Sequence, residues 1–180
     1  MSKIANRSIL IPNNVKIGLN NQFFFAEGPL GKSEELTIPS IVEVVNKENK
    51  IFTKSENIAL AGTYNSLIYN IIKGVTEGYQ KILEVKGIGY KVIIKDNKIL
   101  EFFLGKSHPI LLPIPVDLEV KVESGKIIIK GIDKQKVNKF ATNDIRTLRL
   151  PSVYKKSKGI YYLDEEKNIK LKPGKSLNKK

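Results

Sequence analysis

The fold of this 180-residue chain turns on two stretches, IPNNVKIGLNNQFFFAEG (residues 11–28) and IPVDLEVKVESGKIIIKG (residues 114–131). They match without a gap when the sequence is displaced by 103 positions. Ile11-Pro12 falls on Ile114-Pro115, and Val15, Ile17 and Leu19 fall on Leu118, Val120 and Val122. Phe24 and Phe25 meet Ile127 and Ile128, and Gly28 meets Gly131. Each stretch reads Ile-Pro, an alternating strand, a polar turn, a second apolar strand and glycine. Period-two alternation buries one face of a strand. Asn20-Asn21 in one copy and Glu123-Ser124-Gly125 in the other are residues that suit hairpin turns. A common order of elements at a fixed displacement predicts internal duplication rather than two unrelated hairpins.

Each copy is followed by a helical signal. Leu60, Ala61, Tyr64, Leu67, Ile68, Ile71, Ile72 and Val75 recur at helical spacing, with Ser55 or Asn57 as cap and Gly74 or Gly78 as stop. Later, Asp133 is a candidate N-cap for a stripe of Val137, Phe140, Ala141, Ile145 and Leu148. Pro151 ends that helix, because the residue before proline avoids the α region. Leu83–Val85, Tyr90–Ile94 and Ile99–Phe103 read as strands, the last two joined at Asp96-Asn97. Pro109, Pro113 and Pro115 restrict any strand among them to a short or edge position. The expected fold class is α+β: two similar small domains, each an antiparallel sheet with a helix on one face. The expected boundaries are 1–82, 83–162 and a basic tail, 163–180, dispensable for folding.

Charge divides the chain unequally. Residues 1–82 carry 9 basic and 7 acidic side chains, net +2; residues 83–180 carry 22 and 11, net +11. A polycation joined to a near-neutral half points to a polyanion held by the second half. Six lysines and no acid follow from Lys167 onward. No apolar run approaches the ~20 residues of a membrane-spanning helix, so no membrane role is expected. The absence of cysteine excludes disulfides and thiolate chemistry.

Catalytic signals are sparse. His108, the single histidine, has no nucleophile elbow or metal-ligand partner in the sequence, so a loop-fixing or phosphate-contacting role outweighs general-base chemistry. Gly87-Ile88-Gly89-Tyr90 is a fragment of a glycine-rich phosphate loop without its third glycine or following helix; a strand bend or bulge is the stronger reading, and a close backbone approach to a phosphate would fit that same bend. Asp164-Glu165-Glu166 lacks metal-ligand spacing and is expected to be solvated. PSVYKKSKGIYY (residues 151–162) is more telling. Lys155, Lys156 and Lys158 can neutralise phosphates, and Gly159 would admit a backbone closely. Tyr154 is expected to pack, and Tyr161 or Tyr162 to stack on a base. Arg146 and Arg149 lie three apart on the preceding helix.

GVTEGYQKILEVKGIGYKV (residues 74–92), LGKSHPI (104–110), GIDKQKVNKF (131–140) and the 151–162 loop together resemble the bacterial-type large-subunit ribosomal protein six family. The resemblance covers most of the chain and includes the two-fold repeat. It implies two similar α+β domains and no enzymatic activity; no cofactor or metal is expected. It also implies docking on large-subunit rRNA near the sarcin–ricin loop, beside the base of the stalk that recruits translation GTPases, among neighbouring ribosomal proteins. The implied location is a ribosome of a bacterial cytoplasm or an organelle matrix. The family loop usually reads Tyr-Lys-Gly-Lys-Gly-Ile-Arg-Tyr; here it is one residue longer, with Tyr161 in place of the arginine. Lys106 replaces the usual aromatic before Ser107-His108-Pro109, and the helix between Phe140 and Arg146 is one residue longer. The expected rRNA contacts are Lys86, Gly87, Tyr90, Lys91, Lys106, Ser107, His108, Arg146, Arg149, Tyr154, Lys155, Lys156, Lys158, Gly159 and Tyr161. The alternative is a free-standing single-strand nucleic-acid binder.

Overall fold

The computed structural model describes residues 7–20, 22–47, 49–96, 98–152, 158–163 and 165. The chain divides into two compact units. Unit 1 comprises residues 1–79 with 131–134; unit 2 comprises 80–130 with 135–180.

Unit 1 holds β1 (Ile9–Leu10), β2 (Lys16–Asn20), β3 (Phe23–Gly28), β4 (Gly31–Lys32), β5 (Leu36–Thr37), β6 (Val42–Lys47), β7 (Lys50–Ser55) and α1 (Ile58–Thr76). They form two small sheets rather than one: β1-β7-β6, and β2-β3-β4 with β5 also on β3. The helix starts where expected. Asn57 is the N-cap, its side-chain oxygen accepting from Ala59 N–H at 3.0 Å, and Ser55 Oγ accepts from Asn57 N–H at 3.2 Å. It ends before Gly78, whose positive φ lets its N–H reach back to the Gly74 carbonyl. Phe24, Ala26, Ile51, Ile68 and Val75 are buried together between α1 and the strands. Buried Thr53 donates to the Ala61 carbonyl at 3.1 Å, which removes the cost of its hydroxyl.

Unit 2 holds β8 (Tyr79–Lys86), β9 (Lys91–Lys95), β10 (Ile99–Phe103), β11 (Ile110–Pro113), β12 (Leu118–Glu123), β13 (Lys126–Gly131), α2 (Lys134–Lys139) and β14 (Gly159–Tyr162). Its sheets are β11-β10-β9 and β12-β13-β8-β14. The proline-bounded strand β11 lies at an edge, as proline requires. Ser124 and Gly125 both have positive φ, which gives the β12–β13 hairpin a turn that matches strand twist. After α2 the helix widens into a π-helical turn, Phe140–Ile145, then tightens into a 3-10 turn, Arg146–Arg149. The Arg146 N–H reaches the Ala141 carbonyl, five residues back.

The two units repeat one topology, but at a displacement of 76 rather than 103. Sheet β1-β7-β6 corresponds to β8-β13-β12, and β2-β3-β5 to β9-β10-β11. The counterpart of residues 114–131 is therefore 38–55, where Ile38, Pro39, Glu43, Val44, Lys50, Ile51 and Lys54 recur as Ile114, Pro115, Glu119, Val120, Lys126, Ile127 and Lys130. Ile-Pro opens the same local turn in both: Val42 N–H donates to the Pro39 carbonyl at 2.9 Å, and Leu118 N–H to the Pro115 carbonyl at 3.1 Å. The displacement of 103 misleads because β3, β7 and β13 share the same alternation of buried and exposed positions. Alternation identifies a half-buried strand without saying which hairpin it belongs to.

Candidate nucleic-acid interface

The site grows out of β8. Its last residue, Lys86, leads into a turn closed by Tyr90 N–H donating to the Gly87 carbonyl at 3.1 Å. Gly87 and Gly89 take φ of 154° and 74°, values that disfavour any side chain. The Tyr90 ring braces the turn from within. A Cβ on Gly87 would lie 2.4 Å from that ring, and one on Gly105 would lie 3.3 Å from it. One tyrosine thus joins the Gly87–Tyr90 turn to the loop after β10, where Lys106, Ser107 and His108 are all exposed. Tyr90 is half-buried and works as that brace.

A third loop reaches the same end of unit 2 through β14. This strand pairs antiparallel with β8, and Gly159 lies opposite Lys86. Ser152 N–H donates to the Lys158 carbonyl at 3.1 Å, a neck formed by these two described residues. Tyr154, Lys155 and Lys156 lie outside the described residues, while Lys158, at the neck, is exposed. Segments 86–91 and 106–108 and the two described ends of the third, Ser152 and Lys158–Gly159, are therefore neighbours.

Several expected contacts have other work. Gly159 is required inside the fold: a Cβ there would meet Pro151 Cα at 2.7 Å and the Leu150 carbonyl at 2.9 Å. Tyr161 is fully buried, because β14 is covered on both faces, so its ring offers no face to a base. Its hydroxyl donates to the Lys158 carbonyl at 3.3 Å and steadies the neck. Tyr162 is half-buried, bonded to the Thr142 hydroxyl at 2.5 Å and overlaid by the Arg146 guanidinium and the Lys81 ammonium. Arg146 is paired with Glu165, and both side chains are only 24% exposed, so this cation is committed inside the fold. Glu165 also accepts from Tyr162 N–H at 2.8 Å, so this member of the acidic cluster is not simply solvated. Lys86 leans on Glu84 at 3.2 Å, which Lys126 also approaches at 3.4 Å. Lys91 and Arg149 are exposed, Arg149 at the end of the 3-10 turn.

The arrangement offers exposed cations and polar groups on short, braced loops. Among the described residues no cluster of three or more metal-ligating side chains occurs, and no helix is long and apolar enough to cross a membrane. Exposed apolar side chains of this end, Phe103, Leu150 and above all Ile88, were absent from the expected set. Ile88, at the tip of the Gly87–Tyr90 turn, is 91% exposed. Reading for charge and aromatics passes over an aliphatic residue.

Residues 86–162 match the family model described as Ribosomal protein L6. The chain is 42% identical over 187 residues to the large ribosomal subunit protein uL6 of Mycoplasmoides gallisepticum, covering all of both chains. It is 41% identical over 174 residues to that of Aquifex pyrophilus, covering 92% of this chain and 91% of the relative. It is 39% identical over 189 residues to that of Onion yellows phytoplasma, covering 99% and 98%.

Proposed function

This chain belongs to the ribosomal protein L6 family, and from that premise we propose that unit 2 seats it on large-subunit rRNA through the three loops gathered beside the end of β8. Membership makes it a structural constituent of the large ribosomal subunit, associated with rRNA and other ribosomal proteins, and not an enzyme. The observation that carries the proposal is the adjacency of Gly159 to Lys86, together with the Tyr90 ring between Gly87 and Gly105. It brings Lys91, Lys106, Ser107, His108 and Lys158 toward one end of a rigid pair of sheets, next to the chain that carries Lys155 and Lys156.

Binding here is electrostatic and geometric. Lysines neutralise phosphates and release condensed counterions. Phosphate contacts fix position without reading sequence, while the shape of folded RNA and its 2′-hydroxyls supply selectivity. The proposed place is near the sarcin–ricin loop at the base of the stalk that recruits translation GTPases. The near-neutral first domain faces outward to protein neighbours, and the basic tail from Lys167 follows the RNA. A free-standing single-strand binder would need open aromatic platforms. The burial of Tyr161 and the covered ring of Tyr162 disfavour it.

The test is the salt dependence of binding to a large-subunit rRNA transcript. Replacing Lys155, Lys156 and Lys158 by alanine lowers the slope of log K against log salt by roughly 0.7–0.9 for each phosphate no longer neutralised. A slope equal to that of the unaltered protein overturns this placement.

A further inference from the structure

We infer that Ile88 is an apolar wedge that seats against a base or ribose of the rRNA, supplying a salt-independent part of the grip. The inference rests on the rRNA-binding reading of unit 2 and deepens it. Exposure alone is no argument, since single aliphatic side chains are common on protein surfaces. Position and rigidity are. Ile88 occupies the second position of a four-residue turn whose third residue, Gly89, has φ of 74°, the requirement of a type II turn. Both its neighbours are glycines, so no adjacent side chain shields it. The Tyr90 ring packed under Gly87 fixes the turn, and Ile88 is 91% exposed at its tip.

The surroundings select the partner. The exposed neighbours on this end include Lys91, the Lys106–His108 loop and Lys158 preceding β14, together with the apolar Phe103 opposite Lys91 and Leu150 beside Gly159. A protein partner with an apolar pocket would have to desolvate those lysines, whereas RNA phosphates pair with them. RNA also has apolar surface to offer, in base faces and ribose carbons, and aliphatic side chains inserted at nucleic acid are known as wedges. Because the turn is already ordered, docking costs little conformational entropy, which raises the yield of each contact.

Val116 provides a matched control. It is also fully exposed on a turn closed by an i to i+3 bond, Leu118 N–H to the Pro115 carbonyl. Its turn, however, adjoins Lys98, at the opposite end of the β9–β10 hairpin from Lys91 and Phe103.

The experiment measures binding of the full chain to a large-subunit rRNA transcript across a series of potassium chloride concentrations, for the unaltered protein, Ile88→Ser, Ile88→Leu and Val116→Ser. Ile88→Ser is expected to bind about tenfold to a hundredfold more weakly at every salt concentration, the change for burying one aliphatic side chain. Its salt slope stays that of the unaltered protein. Ile88→Leu and Val116→Ser bind as the unaltered protein does. Undiminished binding by Ile88→Ser, or a weakening accompanied by an altered slope, overturns the wedge while leaving the rRNA reading intact. Failure of the unaltered protein to prefer the transcript over a homopolymer overturns the rRNA reading itself.

Discussion

Glu165 belongs to a segment whose composition reads as solvated, yet it closes a polar knot. It takes the Arg146 guanidinium on one oxygen and the Tyr162 N–H on the other, while Arg146 lies 4.8 Å above the Tyr162 ring. Removing one partner of a largely covered ion pair costs more than the pair contributes, because the other charge is left desolvated. A truncation that spares stability is therefore expected to keep Glu165. Truncation after Glu166 should leave the melting temperature of the RNA-free protein unchanged. Truncation after Leu163 should lower it by roughly 2–6 °C, the equivalent of about 1–2 kcal/mol in a chain of this size. Equal melting temperatures for the two truncations would contradict the knot. The burial of Tyr161 and the pairing of Arg146 with Glu165 were not legible in the sequence, because the choice between surface and core at both is made by β14, and its pairing with β8 joins residues some 75 positions apart. Gly87 and Gly89, in contrast, were legible: two glycines flanking one residue demand a turn that needs unusual backbone angles.

The second helix shows how an element absorbs an extra residue. Phe140 and Ile145 are both buried, although five positions place them about 140° apart around an α-helix. The π-helical turn takes up the surplus and returns Ile145 to the core side. Deleting the exposed Asn143 should therefore convert the turn to α-helical geometry and change stability by less than about 1 kcal/mol, measured by chemical denaturation. The same deletion at Ser66 in α1 should unfold unit 1, since Ile68, Ile72 and Val75 would rotate by about 100° off the core. If deleting Asn143 is as damaging as deleting Ser66, the π turn is not a simple insertion. The apolar stripe of this helix was readable, and even its five-residue gap was present in the sequence, but only tertiary packing decides whether a helix bulges or turns a residue outward. The β6–β7 hairpin escaped for a different reason. Thr53 fills a core position and interrupts the apolar alternation, and its compensating bond to the Ala61 carbonyl is invisible in the sequence.

At the level of the molecule, the two units share one topology but differ at its edges and in charge. β14 extends the second unit's sheet beyond β8; β1, the counterpart of β8, is an edge strand among the described residues. The charge imbalance, +2 for residues 1–82 against +11 for 83–180, follows the same division. Neutralising the exposed Lys47, Lys50 and Lys54 to glutamine should leave the salt slope of rRNA binding unaltered, although it removes as many charges as the triple change at Lys155, Lys156 and Lys158. A comparable fall in slope would mean that both units grip RNA. The neck of the 151–159 loop has one more consequence. Its two ends are anchored independently of its contents, by the Ser152–Lys158 bond and by Gly159 seated against Pro151. Closure entropy rises only by about 0.6 kcal/mol per doubling of loop length, so one added residue is nearly free. A one-residue insertion between Ser152 and Lys158 should therefore leave the melting temperature of the RNA-free protein unchanged, so that the length of this segment can be altered separately from the scaffold that bears it.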